Sequence, residues 1–207
     1  MSWRFPLEKA IKQNSKDAAS RYVQLATIAH DTQAPSIRTI VFRGFSDSHL
    51  AFVTDSRSQK IRDIQRDNRV EVCWYFANTR EQFRISGEMY VLSPVSLSVL
   101  REKSIEGLKI TGERLETIRK EYYERMSPAG RESFAWPCPG SPIEAENWYD
   151  TISTQSEEEK NSIGFEHFCV LLMDVKRVDH LQLRGKPQQR RIFELNEGDW
   201  KETDVYP

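Results

Sequence analysis

The clearest pattern in the chain is a strict alternation of two kinds of residue over positions 82–91. One face is free of charge and consists of Phe83, Ile85, Gly87, Met89 and Val91. The other face is mostly polar and consists of Gln82, Arg84, Ser86, Glu88 and Tyr90. A period of two over ten residues predicts a half-buried antiparallel strand.

Several other segments are rich in β-branched and aromatic residues and are predicted to be strands: residues 21–28, 36–43, 49–54, 70–76, 165–175, 190–195 and 200–206. Gly44 and the polar residues after it predict a tight turn between 36–43 and 49–54. Residues 196–199 (Asn-Glu-Gly-Asp) predict a closing hairpin between the last two strands.

Helical spacing is confined to a few segments between the strands. It appears over Phe5–Asn14, over 56–67 with Ser58 as N-cap, from Pro94 onward, and over 113–126. Residues 127–162 lose all periodicity and are predicted to be a long irregular surface excursion, partly acidic. The sum predicts one domain over 1–207 of the α+β class, a mostly antiparallel β-barrel with peripheral helices.

Composition and charge exclude several classes of protein. Thirty basic and thirty-one acidic residues give a net charge of −1, which argues against a general nucleic-acid binder. Apolar runs such as 168–173 are too short to span a membrane, and the first residues contain no apolar signal region, so a cytoplasmic protein is expected. The three cysteines (Cys73, Cys138 and Cys169) are widely spaced, which excludes a disulfide framework and a zinc ribbon.

Familiar catalytic and cofactor motifs are absent from the sequence. The four histidines lie in separate segments without HxH or HExxH spacing, so no metal site is predicted. There is no GxSxG, GxGxxG or GxxxxGK[ST] sequence. The residues alone therefore define no catalytic set.

One group of basic and hydroxyl residues does suit a ligand. Arg38 and Arg43 lie on one predicted strand, Thr54 ends the next, and Ser58-Gln59-Lys60 opens the short helix behind it. Free N–H groups at a helix N-terminus together with Lys and Arg suit a phosphomonoester dianion. An ordinary solvated helix face is the alternative interpretation of the same residues.

Three motifs in this part of the chain resemble the pyridoxamine 5′-phosphate oxidase family. They are Arg38–Arg43, Phe52–Lys60 and Arg80–Gly87, and they lie in the order and at the spacing of that family. The resemblance spans residues 35–91 and is strongest to a divergent branch from cyanobacteria and plants. It implies an FMN-binding split barrel.

The resemblance also implies which residues contact FMN. Arg38, Thr54 and Lys60 would bind the phosphate, Val53 would border the ribityl chain, and Gln82 would hydrogen-bond the flavin. The remaining members of the implied set are Thr39, Ile40 and Val41, which would border the isoalloxazine, with Arg43, Gln59, Ser141 and Arg191. Family members are homodimers with the flavin in the interface, so a second subunit would complete each site.

Departures from the family pattern concern the substrate. The family's R-L-H, which holds the pyridoxal substrate, is replaced by Pro187-Gln188-Gln189, and the tryptophan of F-W-Q-G is missing from His180-Leu181-Gln182-Leu183. The family's Q-S pair has become Gly140-Ser141. FMN binding is therefore favoured, whereas the small-molecule substrate stays unknown.

Three functional interpretations remain. The leading one is an FMN-dependent oxidoreductase in which Arg43 or Arg84 favours the negative charge of reduced flavin. The second is a non-catalytic module that binds flavin or another ligand. The third is a single-stranded nucleic-acid binder that uses the barrel face, against which the near-zero net charge argues; its residues would be Arg38, Arg43, Arg84, Trp74 and Tyr75. Trp136 and Trp148 suit either a cover over the flavin or local packing.

Overall fold

The computed structural model of the chain describes residues 3–94, 108 and 112–207. In these residues eight strands form one antiparallel sheet: β1 (Tyr22–Ile28), β2 (Pro35–Ser46), β3 (His49–Asp55), β4 (Arg69–Phe76), β5 (Glu81–Leu92), β6 (Phe168–Gln182), β7 (Gln189–Asn196) and β8 (Asp199–Val205). The α-helices with described bounds are α1 (Arg4–Gln13), α2 (Gln59–Arg66), α3 (Gly112–Glu124), α4 (Pro128–Glu132), α5 (Trp148–Ser153) and α6 (Glu157–His167). The helix predicted to start at Pro94 lies, after that residue, outside the described residues.

Six of the strands close into a barrel. The sheet runs in the order β3-β2-β1-β4-β5-β6, and β6 pairs back onto β3. β7 and β8 extend the sheet as a hairpin along the second half of β6. This architecture confirms the predicted α+β antiparallel barrel. No helix in the described part of the chain is long and apolar enough to cross a membrane.

Alternation along the strands builds the core inside the barrel. Phe83, Ile85 and Met89 point inward from β5 and are fully buried, as the period of two predicts. A second apolar cluster joins α3 to the outer face of β3 and β6, with Leu115 and Ile118 among its members. The first half of β6 is therefore covered on both faces, which accounts for its continuous apolar sequence.

Gly87 occupies a bulge between β5 and β6. The strand register shifts between Ser86 and Gly87. A Cβ atom on Gly87 would lie 2.1 Å from the carbonyl oxygen of Asp174, far inside van der Waals contact. The close approach of the two backbones therefore requires glycine at this position.

The prediction of an irregular excursion over 127–162 is wrong in part, because α4, α5 and the start of α6 lie there, whereas residues 133–147 between α4 and α5 form neither helix nor strand. The acidic stretch begins α6, where Ser156 and Glu159 form a capping box. The buried residues of α6 are Lys160 and Gly164, and Phe165 packs only partly buried against the second apolar cluster, so the inner face carries a weak apolar signal. The strand predicted over 165–175 accordingly begins later, at Phe168.

The hairpin predicted over 196–199 is confirmed. Asn196 pairs with Asp199, and the two residues between them, Glu197 and Gly198, have φ of 50° and 97°. Two consecutive residues with positive φ define the type I′ turn that matches strand twist.

Candidate functional site

Lys60 lies in the first turn of α2 with its charge unneutralised. Its Nζ is 2.9 Å from Thr54 Oγ1 and 3.0 Å from Ser58 Oγ. In the ranges that the structure describes, no carboxylate oxygen lies within 4.0 Å of this nitrogen. Burial lowers the pKa of Lys60, and the positive charge of Arg38 lowers it further. Two neighbouring cations with hydroxyl contacts favour an anionic ligand.

Arg38 is held in place by partners on three elements. Its guanidinium donates to Thr27 Oγ1 at 2.5 Å, to Ser36 Oγ at 2.7 Å and to Asp63 Oδ2 at 3.1 Å. Asp63 is fully buried and also accepts from Thr27 Oγ1 and from the backbone N–H of His30, both at 3.0 Å. The inner face of α2 therefore orients the arginine. Arg38 was predicted from the sequence, whereas Thr27 and Asp63 were not.

The N-terminus of α2 adds backbone donors to this cluster. Ser58 is the N-cap, yet its Oγ donates to the carbonyl of Asp55 at 2.7 Å and does not cap the first turn. The first N–H groups of a helix have no partner within the helix. The site is net positive, because it combines the cations Arg38 and Lys60 with one carboxylate, Asp63, and with these N–H groups. A net positive site fits a phosphate dianion. Gln59, the first helical residue, is exposed beside it.

The barrel wall is split beside the cluster. Within the described strands, β2 pairs with β3 only as far as Phe42 and Phe52. Residues 35–41 then pair with β1 alone, whereas residues 53–55 pair with β6. The strands diverge between these two segments and leave an opening.

The predicted flavin-contacting residues flank this opening. Thr39 and Val41 lie on the outward face of β2, and Ile40 points into the core, so Ile40 offers the opening its backbone. Val53 and Thr54 lie on the opposite side. The register shift between Phe42 and Gly44 makes Arg43 the bulged residue at the point of divergence.

Arg43 and Arg84 differ in their surroundings. Burial lowers the pKa of Arg43, and the charge of Arg21 lowers it further. Arg84 instead donates to Asp179 Oδ2 at 2.6 Å. Burial would raise the pKa of Asp179, but hydrogen bonds from Arg190 and Arg84 overcome this and lower it to about 2. Arg84 is thus paired with a carboxylate, which it shares with Arg190.

Gln82, Ser141 and Arg191 are not in contact with the phosphate cluster. Gln82 is half-buried on β5, opposite Leu181. Ser141 is exposed, and its Oγ donates to the carbonyl of Cys138 at 2.7 Å. Arg191 forms 2.7 Å ion pairs with Asp204 and Glu202 and lines a cavity of about 550 Å³ between α1 and the β7–β8 hairpin, on the sheet face opposite Gln82.

Arg190, which was not among the predicted site residues, lies on the Gln82 face. It pairs across the ladder with Leu181, and its guanidinium binds Asp179 at 2.8 and 3.0 Å. Adjacent residues of a strand point to opposite faces, so only one of the two arginines can face Gln82. The alternation of β7 was the signal that separates Arg190 from Arg191.

Comparisons with known proteins agree on one family. A family model described as pyridoxamine 5′-phosphate oxidase, FMN-binding domain, matches residues 1–93. The pyridoxine/pyridoxamine 5′-phosphate oxidase 2 of Arabidopsis thaliana is 35% identical over 193 residues, which cover 92% of this chain and 87% of that protein.

Solved structures show the same fold. A pyridoxamine 5′-phosphate oxidase-related, FMN-binding protein from Nostoc punctiforme superposes with a TM-score of 0.82 at 33% identity, covering 100% of this chain and 98% of that one. PhzG from Burkholderia lata, in complex with tetrahydrophenazine-1-carboxylic acid, has a TM-score of 0.73 at 18% identity, covering 98% and 90%. This second likeness concerns the fold alone. The chain belongs to the pyridoxamine 5′-phosphate oxidase family, whose matched domain binds FMN.

Proposed function

We propose that this protein is an FMN-dependent oxidoreductase that acts as a homodimer with flavin in the subunit interface. The observation that carries the proposal is the positive cluster of Arg38 and Lys60 beside the split between β2 and β3. The cluster suits the phosphate, and the split offers two strand edges to the rest of the cofactor.

Each part of the site has a defined task. Arg38, Lys60 and Thr54 bind the phosphate, the backbone of 39–41 borders the ring, and Val53 borders the ribityl chain. FMN, when bound, supplies the electron or hydride transfer, whereas the protein supplies position and electrostatics.

The energetics of cofactor binding support a site that buries the flavin ring, as a subunit interface would. Charge-assisted contacts contribute about 1.5–3 kcal/mol each. Association costs about 4–15 kcal/mol, so contacts to the phosphate barely offset it and burial of the ring must contribute the rest. Ser141 and Arg191 lie away from the cluster in their own chain, and we assign both to the flavin site of a second copy.

The substrate is a small molecule whose identity the loop at Pro187–Gln189 leaves open. The Arabidopsis relative is named for pyridoxine and pyridoxamine 5′-phosphate, so these two donors are tested first.

The test is reconstitution with FMN followed by desalting, visible spectroscopy and light scattering. We expect one flavin per subunit on a dimer, and then flavin-dependent oxidation of one donor in a panel that begins with the two phosphates. Loss of all flavin on desalting would refute cofactor binding, and a monomer that keeps FMN would refute the interface site. Retained flavin without turnover of any donor would favour the non-catalytic module.

A further inference from the structure

Arg57 joins the phosphate-binding turn to a distant part of the chain. Its backbone N–H and Nε donate to Asp55 Oδ1 at 2.8 and 3.0 Å, and its Nη2 donates to Asp55 Oδ2 at 2.7 Å. The same Nη2 also donates to the carbonyl of Trp136 at 2.8 Å and to that of Phe134 at 3.4 Å. These carbonyls lie 79 and 77 residues later in the sequence. One guanidinium therefore holds both segments.

Further hydrogen bonds brace the same junction. The backbone N–H of Ser56 donates to the carbonyl of His167 at 2.8 Å. The His167 ring donates through Nδ1 to the carbonyl of Phe134, also at 2.8 Å. The turn that presents Ser58 and Lys60 is thus fixed against residues 134–136 and the end of α6.

Arg69 offers an internal comparison, because it makes the same local contacts without the distant ones. Its backbone N–H and Nε donate to Asp67 Oδ1 at 3.1 and 2.9 Å, and its Nη2 donates to Asp67 Oδ2. The Arg69 side chain is 79% exposed, whereas that of Arg57 is 25% exposed. Within the described ranges, the Arg69 guanidinium has no hydrogen bond to another segment. Pairing of an arginine with the aspartate two residues before it therefore does not by itself produce the contacts that Arg57 makes with distant carbonyls.

Residues 134–136 lead into an aromatic cluster of Trp136, Trp148 and Tyr149. The Trp136 ring lies 5.7 Å from that of Trp148 and 6.1 Å from that of Tyr149, edge to face in both cases. Trp136 and Tyr149 remain 36% and 48% exposed. This cluster is continuous in the chain with the backbone that Arg57 holds.

We propose that Arg57 is a positioning residue that couples occupation of the phosphate turn by FMN to the order of residues 134–141. The inference rests on the proposed function, because it assigns the phosphate to this turn. When a ligand orders the phosphate turn, the entropy cost of ordering the segment that Arg57 joins to it is lowered. This coupling is reciprocal. Ser141 lies in the coupled segment and is assigned to the flavin site of the second subunit. Binding of phosphate at the turn of one subunit would therefore also order the residue that this subunit contributes to the other flavin site.

The experiment compares Arg57→Lys and Arg57→Gln with the matched control Arg69→Lys. FMN affinity is measured by titration of flavin fluorescence, and amide hydrogen exchange is measured with and without FMN. In the wild type we expect FMN to slow exchange over residues 134–141 but not over the distant hairpin 189–205. In both Arg57 variants we expect FMN affinity to fall about tenfold and the FMN-dependent slowing at 134–141 to disappear. In Arg69→Lys we expect affinity within about twofold of wild type, with the slowing retained.

Three results would overturn the inference. Equal FMN affinity in the Arg57 and Arg69 variants would show that Arg57 does not position the phosphate turn for FMN binding. Unchanged exchange at 134–141 when the wild type binds FMN would remove the coupling, and this measurement decides even if both Arg57 variants fail to fold. Failure of the wild type to retain FMN would refute the proposed function itself, and the coupling with it. That last outcome is recognised before any variant is compared.

Discussion

Replacement of Lys60 by alanine tests the phosphate site most directly. Lys60 Nζ contacts the hydroxyls of Thr54 and Ser58 and has no carboxylate within reach in the described part of the chain. A phosphate oxygen would give it its first anionic partner, and such a bond contributes about 1.5–3 kcal/mol. Since 1.4 kcal/mol is about tenfold in Kd, the full range would be roughly 10- to 150-fold.

The lower end of this range applies to Lys60→Ala, because the variant keeps the other phosphate contacts. Arg38 and the free backbone N–H groups at the start of α2 stay in place beside the phosphate. We therefore expect FMN to bind about tenfold more weakly. Arg62→Ala is the matched control, since Arg62 is an exposed cation on the same helix, and its FMN affinity is expected within about twofold of wild type.

The pH dependence gives a second signature of Lys60. Its folded pKa lies below the ordinary value of 10.5, so ionised Lys60 destabilises the free protein at neutral pH, and this penalty vanishes as pH rises through the folded pKa toward 10.5. FMN affinity should fall over the same alkaline window, and Lys60→Ala should lose that fall. Fluorescence titration between neutral and alkaline pH measures both. An unchanged Kd in Lys60→Ala, or an equal loss in Arg62→Ala, would refute the assignment.

Three further predictions concern the barrel and its arginines. Gly87→Ala should lower the free energy of unfolding in urea by at least about 2 kcal/mol, because the new Cβ meets the carbonyl of Asp174; a change below 0.5 kcal/mol, a rough threshold, would contradict the close approach. Asp179 has a folded pKa of about 2 against an unfolded value of 3.8, so its ionised form stabilises the fold above pH 3.8 and this stabilisation is lost as the pH falls from 3.8 to about 2. Asp179→Asn should therefore lower the free energy of unfolding by about 2 kcal/mol at pH 7 and weaken its dependence on pH in acid. An unchanged dependence on pH in acid would contradict the ion pairs. Arg43→Gln should lower the reduction potential of bound FMN on the order of 30 mV in a dye-coupled titration, and Arg84→Gln should lower it less because Arg84 is already paired with Asp179; equal shifts would show that this ion pair is irrelevant.

The strands could be predicted because each has an apolar face of its own. The alternation over 82–91 corresponds to β5, and the turn at 196–199 contains residues that tolerate positive φ. α6 could not be found this way, since its fully buried residues are Lys160 and Gly164 and only Phe165 adds a partly buried apolar side chain. The capping pair Ser156 and Glu159 was the one local signal for it.

Some residues of the candidate site could be predicted from the sequence and others could not. Side chains that carry charge or a hydroxyl, such as Arg38 and Lys60, could be selected from sequence and from the family resemblance. Asp63 was missed because nothing local separates a buried carboxylate on α2 from an exposed one. Arg57 was missed because its distant partners are backbone carbonyls, which every residue has.

The closure of the barrel between β3 and β6 sets the order of events during synthesis. β3 ends at Asp55, and its partner begins at Phe168, so more than half of the chain must emerge between the two. Until then both β3 and β5 present unpaired edges, which in other proteins promote association with a second chain. Such long sequence separation slows folding relative to local contacts. A ribosome-bound chain that stops short of Phe168 should therefore be the species most in need of a chaperone.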